Sequence, residues 1–163
     1  MKHRMAFTVL ALLLVSLLGS ASALAQEFPP KMMDLEAWFL DLFQVSEDEI
    51  EPLANLAYVH QEGNDNSSEQ VQQGENLRAF VYQSGDENQV QQWQTGWGHW
   101  AGTYQMGNRN SAVIQQVGTD NWAGTYQLGD ANTVRIEQSG LSFTALVTQI
   151  GHGNSAVIIQ GSQ

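Results

Sequence analysis

From residue 61 onward, polar and apolar positions alternate in short bursts cut by regularly placed glycines. In the stretch Asn110 to Gln116, Asn110, Ala112, Ile114 and Gln116 fall on one face of an extended chain. Ser111, Val113 and Gln115 fall on the other. Val117-Gly118-Thr119-Asp120 then supplies turn chemistry, since glycine tolerates positive φ and Asp favours turns. A strand of about six or seven residues and a turn of about four fill eleven positions. A helix is excluded here, because glycine every eleven residues among β-branched residues and Tyr is poor helix material.

The eleven-residue spacing governs the whole stretch. Stepping by eleven gives Gln61, Gln72, Gln83, Gln94, Gln105, Gln116, Gln127, Gln138, Gln149 and Gln160, without a break. Two residues beyond them lie Gly63, Gly74, Gly85, Gly96, Gly107, Gly118, Gly129, Gly140 and Gly151, until Ser162 ends the series. The deeper period is twenty-two. Asn66, Asn88, Asn110, Asn132 and Asn154 follow alternate Gln by five, whereas the intervening units carry Leu77, His99, Asn121 and Phe143 there. Each 22-residue unit therefore has two similar but distinguishable halves, predicting a strand–turn–strand coil. Successive coils can stack at about 4.8 Å. The expected fold class is all-β: a β-solenoid over residues 61–163, cross-β when assembled, with a short helical or irregular segment before it.

Stacking gives the amides a purpose. Identical Gln or Asn side chains one coil apart can donate and accept along the stack. Each bond contributes only about 1 kcal/mol, but an unpaired buried amide costs about 1–3 kcal/mol, so a ladder works when it is continuous. The candidate ladder comprises the ten Gln named above with Asn66, Asn88, Asn110, Asn121, Asn132 and Asn154, and the nine glycines are the candidate turn positions. The core between the strands is expected to be thin: small Ala with Val81, Ile114, Ile136, Val147 and Ile158. Leu, Ile, Val and Phe number 19 of 103 residues over 61–163, a fraction that reads as disordered until coils, and then molecules, stack.

Before the repeats, Lys2, His3 and Arg4 precede an apolar run from Met5 to Leu18, and Ala23-Leu24-Ala25 closes it. This is the pattern of a secretory signal peptide over 1–25, and the apolar run is shorter than the roughly 20 residues of a membrane span. Residues 26–60 are separate in character, with eight acids and one Lys. Met32, Leu35, Trp38, Phe39, Leu42 and Phe43 recur at helical spacing, predicting a short amphipathic helix. It would cover the first coil or serve as a secretion or anchoring signal. Ser46 with Glu49 resembles a capping box, and Pro52 limits any second helix.

Composition removes several classes of chemistry. Seventeen acids against six Lys and Arg, a net charge of −11, argue against nucleic acid as a partner. The absence of Cys excludes disulfides and thiolate chemistry. His60, His99 and His152 lack ligand spacing, and no nucleophile elbow or phosphate loop is present, so neither catalysis, cofactor nor metal is expected. Glu62, Asp65, Asp86, Glu87, Asp120 and Asp130 read as solvated turn residues that slow premature association. Trp93, Trp97, Trp100 and Trp122 could form an aromatic strip, more simply explained as outward rings stacking along a surface.

At these positions the chain resembles the curlin subunits of bacterial curli, which are functional amyloid fibres. The curlin pattern Q-x-G-x-x-N-x-A-x-x-x-Q is matched from Gln105 to Gln116, from Gln116 to Gln127 and from Gln149 to Gln160. Leu77, His99 and Phe143 stand in place of Asn, and Val90 and Val134 in place of Ala. The resemblance implies a secreted, extracellular, cell-surface fibre subunit acting in nucleation, adhesion and biofilm matrix. It also implies self-association, contacts with other curlin subunits and passage through an outer-membrane secretion and assembly machinery. Glycine after Gln in both halves is more like the minor, nucleating curlin than the major one. The last strand, Asn154 to Gln160, is apolar and uncharged, and reads as an open template. The remaining alternatives are a major fibre subunit and, more distantly, a monomeric polysaccharide-binding solenoid.

Overall fold

The computed structural model describes residues 9–16 and 54–161, with the backbone alone described for 9–16. These residues form eleven strands. In chain order they are β1 (Val9–Ser16), β2 (Leu56–Glu62), β3 (Ser67–Glu75), β4 (Arg78–Ser84), β5 (Gln89–Trp97) and β6 (Trp100–Met106). Then follow β7 (Ser111–Thr119), β8 (Trp122–Leu128), β9 (Thr133–Leu141), β10 (Phe143–Ile150) and β11 (Ser155–Gly161). The even strands and β1 make one sheet in the order β1-β10-β8-β6-β4-β2, and the odd strands the other, β11-β9-β7-β5-β3. The chain crosses from one sheet to the other at every turn, making about five coils of a parallel β-solenoid. No described residue is helical.

Every coil-to-coil pairing is parallel, with a constant offset of twenty-two. Gln61 pairs with Gln83, Gln83 with Gln105, Gln105 with Gln127 and Gln127 with Gln149. On the opposite sheet Gln72, Gln94, Gln116, Gln138 and Gln160 are aligned in the same way. A sheet slips register easily when its faces are alike. Here every strand from β2 to β11 carries the same polar residue at the same height, so only the native offset matches like with like.

The sheets enclose a narrow core. Ala101, Ala123 and Ala145 from the even sheet meet Ile114, Val134, Ile136, Ala156 and Ile158 from the odd sheet, with Val147 among them. One inward row of the odd sheet changes character along the stack: Gln70 and Gln92 are followed by Ile114, Ile136 and Ile158. The opposite row runs Val81, Thr103, Thr125, Val147. Gln92 donates to the Thr103 hydroxyl at 3.0 Å, so the amide finds a polar partner across the core.

The solenoid begins earlier than the first ladder Gln. Leu56 to His60 already belong to β2 and pair with β4. The rest of the N-terminal segment, residues 26–53 with the helix expected over Met32 to Phe43, lies outside the described residues, as do all of the leader except β1 and the terminal Ser162 and Gln163. Strand β1 comes from within the expected leader and adds to the even sheet beside β10.

Candidate functional site

The turns decide how closely coils approach. Each turn has two left-handed positions, the glycine two residues after Gln and the residue two further on. In the turn after β6 these are Gly107 (φ 117°) and Arg109 (φ 57°), and in the turn after β7 Gly118 (φ 114°) and Asp120 (φ 53°). At Gly107 a Cβ would fall onto the carbonyl oxygen of Gly129 in the next coil. Backbone freedom and interlayer spacing therefore both demand glycine, which no side chain can replace at this stacking distance. The αL positions carry Asp65, Asn76, Glu87, Arg109, Asp120, Ala131 and Ser142, with Gly98 and Gly153 in the other two, so only the first of the two left-handed sites is reserved for glycine.

Against these turns the inward Gln side chains form two ladders. In the even sheet Gln61, Gln83, Gln105 and Gln127 each donate Nε2–H to Oε1 of the Gln one coil later, at 2.6–2.9 Å. In the odd sheet Gln72, Gln94, Gln116 and Gln138 do the same toward Gln160 at 2.8–3.0 Å. The second hydrogen of Nε2 goes elsewhere. Gln116 donates to the Trp100 carbonyl at 3.0 Å, Gln105 to the Gln89 carbonyl at 3.2 Å and Gln138 to the Trp122 carbonyl at 3.0 Å. The same sixteen-residue step recurs from Gln72 to Gln160. From Gln72 onward each amide thus ties its own sheet along the stack and crosses to the other half of the coil. Gln83, Gln105, Gln116, Gln127 and Gln149 have no exposed surface. Such burial is tolerable because Gln83, Gln105, Gln116 and Gln127 use both donor hydrogens, and Gln149 accepts from Gln127 and donates to the Thr133 carbonyl.

The Asn ladder occupies one turn of the coil and runs with opposite polarity. Asn88, Asn110, Asn132 and Asn154 donate Nδ2–H to Oδ1 of the Asn one coil earlier at 3.0–3.1 Å. The same Oδ1 also accepts the backbone N–H of the later Asn. Nδ2 of Asn66, Asn88, Asn110 and Asn132 further donates to the turn carbonyls of Gly85, Gly107, Gly129 and Gly151 at 2.7–2.9 Å. The Gln rows donate toward the C-terminal coil and the Asn row toward the N-terminal coil, so the amide dipoles of the rows oppose each other.

Asn121 lies at the opposite turn from those five. It shares a row with Leu77, His99 and Phe143, where hydrogen bonds run through the backbone. The Asn121 N–H donates to His99 Nδ1 at 3.2 Å, and Asn121 Oδ1 accepts from the Phe143 N–H at 3.0 Å. His99 is 1% exposed, and its Nε2 lies 3.0 Å from the Thr95 carbonyl. A ring that accepts at Nδ1 and donates at Nε2 is the neutral tautomer. Burial lowers its pKa, opposed more weakly by the Thr95 carbonyl and the nearby Asp120 charge.

A fourth row was not apparent from the sequence. Asn64 donates its backbone N–H and Nδ2–H to Asp86 Oδ1, the Asp86 N–H donates to Asn108 Oδ1, and Asn108 repeats the pattern onto Asp130. Asp86 and Asp130, expected as merely solvated, are therefore also rungs of a turn ladder. The signal was the alternation of Asn and Asp at a constant offset of twenty-two.

Aromatic residues divide between the sheets. Tyr82, Tyr104 and Tyr126 stack at 4.7 and 4.8 Å on the even sheet's outer face, with His60 continuing the row at 5.2 Å. Trp100 stacks on Trp122 at 4.5 Å on the same face. Trp93 and Trp97 belong to β5 on the other sheet, so the four Trp do not form one strip. Burial raises the Tyr126 pKa and, aided by the two neighbouring tyrosines, lifts that of Tyr104 well above the ordinary phenol range.

The stack presents open edges. Among the described residues strand β11 closes the odd sheet with no further strand beside it, and β3 and β2 end the two sheets at the other pole. Val157 and Ile159 on β11 are 57% and 69% exposed. Along this edge the Asn154 Oδ1 accepts no bond from another described residue, so the Asn ladder ends in an acceptor facing outward.

The chain has no match among curated proteins. Residues 107–140, which span β7, β8 and nearly all of β9, match the family model of the curlin associated repeat. With its 22-residue coils and uninterrupted glutamine rows, the solenoid and this match together support the curlin family for the chain.

Proposed function

We propose that the protein is a structural subunit of an extracellular curli-type fibre, exported by way of its leader and acting as the minor, nucleating component. The observation that carries this reading is the matching of the two poles. A second chain set on the C-terminal pole with the internal offset of twenty-two would lay its β2 on β10 and its β3 on β11. That register puts the incoming Gln61 on Gln149, Gln72 on Gln160 and Asn66 on Asn154. All three ladders then cross the junction without a change of phase. Sheets normally protect such edges with charge, Pro or a covering element, and β11 has an apolar outer face instead.

The leader fits this scheme. Strand β1 occupies the place on β10 that the next chain's β2 would take. A chain cleaved after Ala25 presents both β10 and β11, so end-to-end growth follows processing. Glycine in every turn, on both sides of the coil, supports the nucleating role. The polysaccharide-binding alternative is disfavoured, because the Tyr104 and Tyr126 rings it would use are buried.

The test uses the chain from residue 26 onward. It is expected to form fibres with a meridional reflection near 4.8 Å, and substoichiometric amounts should abolish the lag of a fibre-forming curlin partner. Self-assembly with no effect on the partner's lag would assign it to the major subunit. A chain that stays monomeric and β-rich at high concentration would refute the fibre role.

A further inference from the structure

The two poles of the stack match in their ladders but not in the core between the sheets. Set on the C-terminal pole at the offset of twenty-two, a second copy would bring Ala57 onto Ala145 and Val59 onto Val147. It would also bring Ser68 onto Ala156 and Gln70 onto Ile158. The first two rows join like with like, and the last two do not. Gln70 donates Nε2–H to Gln92 Oε1 at 3.0 Å and to the Tyr58 carbonyl at 3.4 Å, and its own Oε1 accepts from no described residue. Gln92 in turn donates to the Thr103 hydroxyl at 3.0 Å and to the Phe80 carbonyl at 3.2 Å. The amide pair thus ends satisfied on its C-terminal side, where Ile114 follows, and in an open acceptor on the side of the pole. The two boundaries between amide and hydrocarbon are therefore not equivalent. Gln92 before Ile114 is closed, whereas Ile158 before an incoming Gln70 leaves an oxygen without a donor. Gln70 is half-buried at the free pole, and Gln92, one coil in, is 1% exposed. A chain joined there would bury Gln70 as Gln92 is buried. The Ser68 hydroxyl, already buried without a partner, would gain none from Ala156.

We infer that Ile158 and Gln70 decide which chain the C-terminal pole takes, and that it prefers a different chain to a copy of itself. The partner that fits is a solenoid of the same coil length, with its three amide ladders in phase and an aliphatic residue where this chain has Gln70. This inference rests on the fibre reading and names the partner of the same pole. Ile114, Ile136 and Ile158 already form a hydrocarbon row in the core, and an aliphatic residue would extend it. A second copy would instead bury an unpaired acceptor. One such orphan corresponds to about 5- to 150-fold in the affinity of the junction. Discrimination of this kind works by leaving a polar group unpaired against the wrong partner. The Gln and Asn ladders cannot supply it, because they cross either junction equally well and set only the register. The outward rows do not supply it either, since a copy would bring Val71 onto Ile159. By the same rule the N-terminal pole suits a chain that offers a hydrogen-bond donor at the position of Ile158.

The test uses the distance between the two positions. Within one chain residues 70 and 158 lie four coils apart, about 19 Å, and they meet only across a junction, so any coupling between them is intermolecular. Four chains from residue 26 onward are compared: the unaltered sequence, Ile158→Gln, the triple variant Gln70→Ile, Gln92→Ile, Thr103→Val, and the combination of both changes. The triple variant carries the Ile row to the first coil and stands in for the partner. The monomer left at equilibrium with fibres is measured for each, and changes confined to the interior of the chain cancel between the two backgrounds. The benefit of the triple substitution should be about 5- to 150-fold greater beside Ile158 than in the Ile158→Gln background. Benefits equal within about twofold would overturn the inference and leave the fibre reading standing. No fibres from any of the four would refute that reading and this inference with it. If Ile158→Gln loses its β-sheet circular dichroism, competition decides. Seeds of the unaltered chain are offered equal amounts of unaltered and ¹⁵N-labelled triple-variant monomer, and incorporation is read by mass. Uptake of the triple variant should be at least about fivefold greater, and equal uptake would overturn the inference.

Discussion

Replacing Gln116 by Leu is the most direct probe of the amide ladders. Gln116 has no exposed surface and makes three hydrogen bonds: it donates to Gln138 and to the Trp100 carbonyl, and accepts from Gln94. Leu is of similar size but removes all three bonds. It leaves Gln138 Oε1 without its donor and one hydrogen of Gln94 Nε2 without an acceptor, while Gln94 keeps its bond to the Arg78 carbonyl. Two orphaned groups at about 1–3 kcal/mol each, less the gain from burying an apolar side chain, give an expected loss of about 2–4 kcal/mol. Converting Gln94, Gln116 and Gln138 together should cost far less than three times that, because the inner orphans vanish with their partners. The switch from Gln92 to Ile114 in a neighbouring row shows that this interior accepts either chemistry. The assay is the guanidinium midpoint of the β-sheet circular dichroism signal, with Gln115→Leu, on the exposed face, as control. A Gln116→Leu loss below about 0.5 kcal/mol, or a triple loss three times the single, would refute continuity as the source of the ladder's contribution.

Other sites test separate parts of the account. Gly107→Ala sets a Cβ against the Gly129 carbonyl at φ 117°, and is expected to cost at least 3 kcal/mol by order of magnitude and to block fibre growth; unchanged thioflavin kinetics would contradict the spacing argument. Thr125→Val should stabilise by about 1 kcal/mol, since the Thr125 hydroxyl is buried without a hydrogen-bond partner and Val81 and Val147 occupy the same row. A lower unfolding midpoint would show that the hydroxyl has a role. Burial lowers the His99 pKa, so the unfolded chain binds the proton more readily. The stability due to neutral His99 is therefore complete above the unfolded value near 6.5 and is lost as pH falls from there through the lower folded value, with a slope of at most about 1.4 kcal/mol per pH unit. His99→Asn should flatten that part of the profile, below about pH 6.5, and identical slopes for the two proteins there would refute it.

Much of this architecture is legible in the chain itself. The eleven-residue recurrence of Gln and Gly, doubled by Asn at twenty-two, determines the strand length, the turn positions, the all-β class and the coil offset. That follows because parallel stacking aligns identical residues and punishes any other register. Ala, Ile and Val at inward positions likewise announce a thin core. What the pattern could not reveal was the second bond of each Gln. The acceptor is a backbone carbonyl sixteen residues earlier, and every residue carries a carbonyl, so no side-chain signature marks it.

Tertiary structure alone decided three further matters. It moved the start of the solenoid to Leu56, because pairing with β4 recruits Ala57 and Val59 without needing a Gln. It separated Trp93 and Trp97 from Trp100 and Trp122, since a strand alternates its faces and consecutive strands alternate their sheets. It also distinguished two outer faces with similar periodicity, burying Tyr104 and Tyr126 on one and leaving Val157 and Ile159 open on the other. Periodicity along a chain specifies which residues point away from a core. How far each is covered depends on its neighbours in space, which the period does not name.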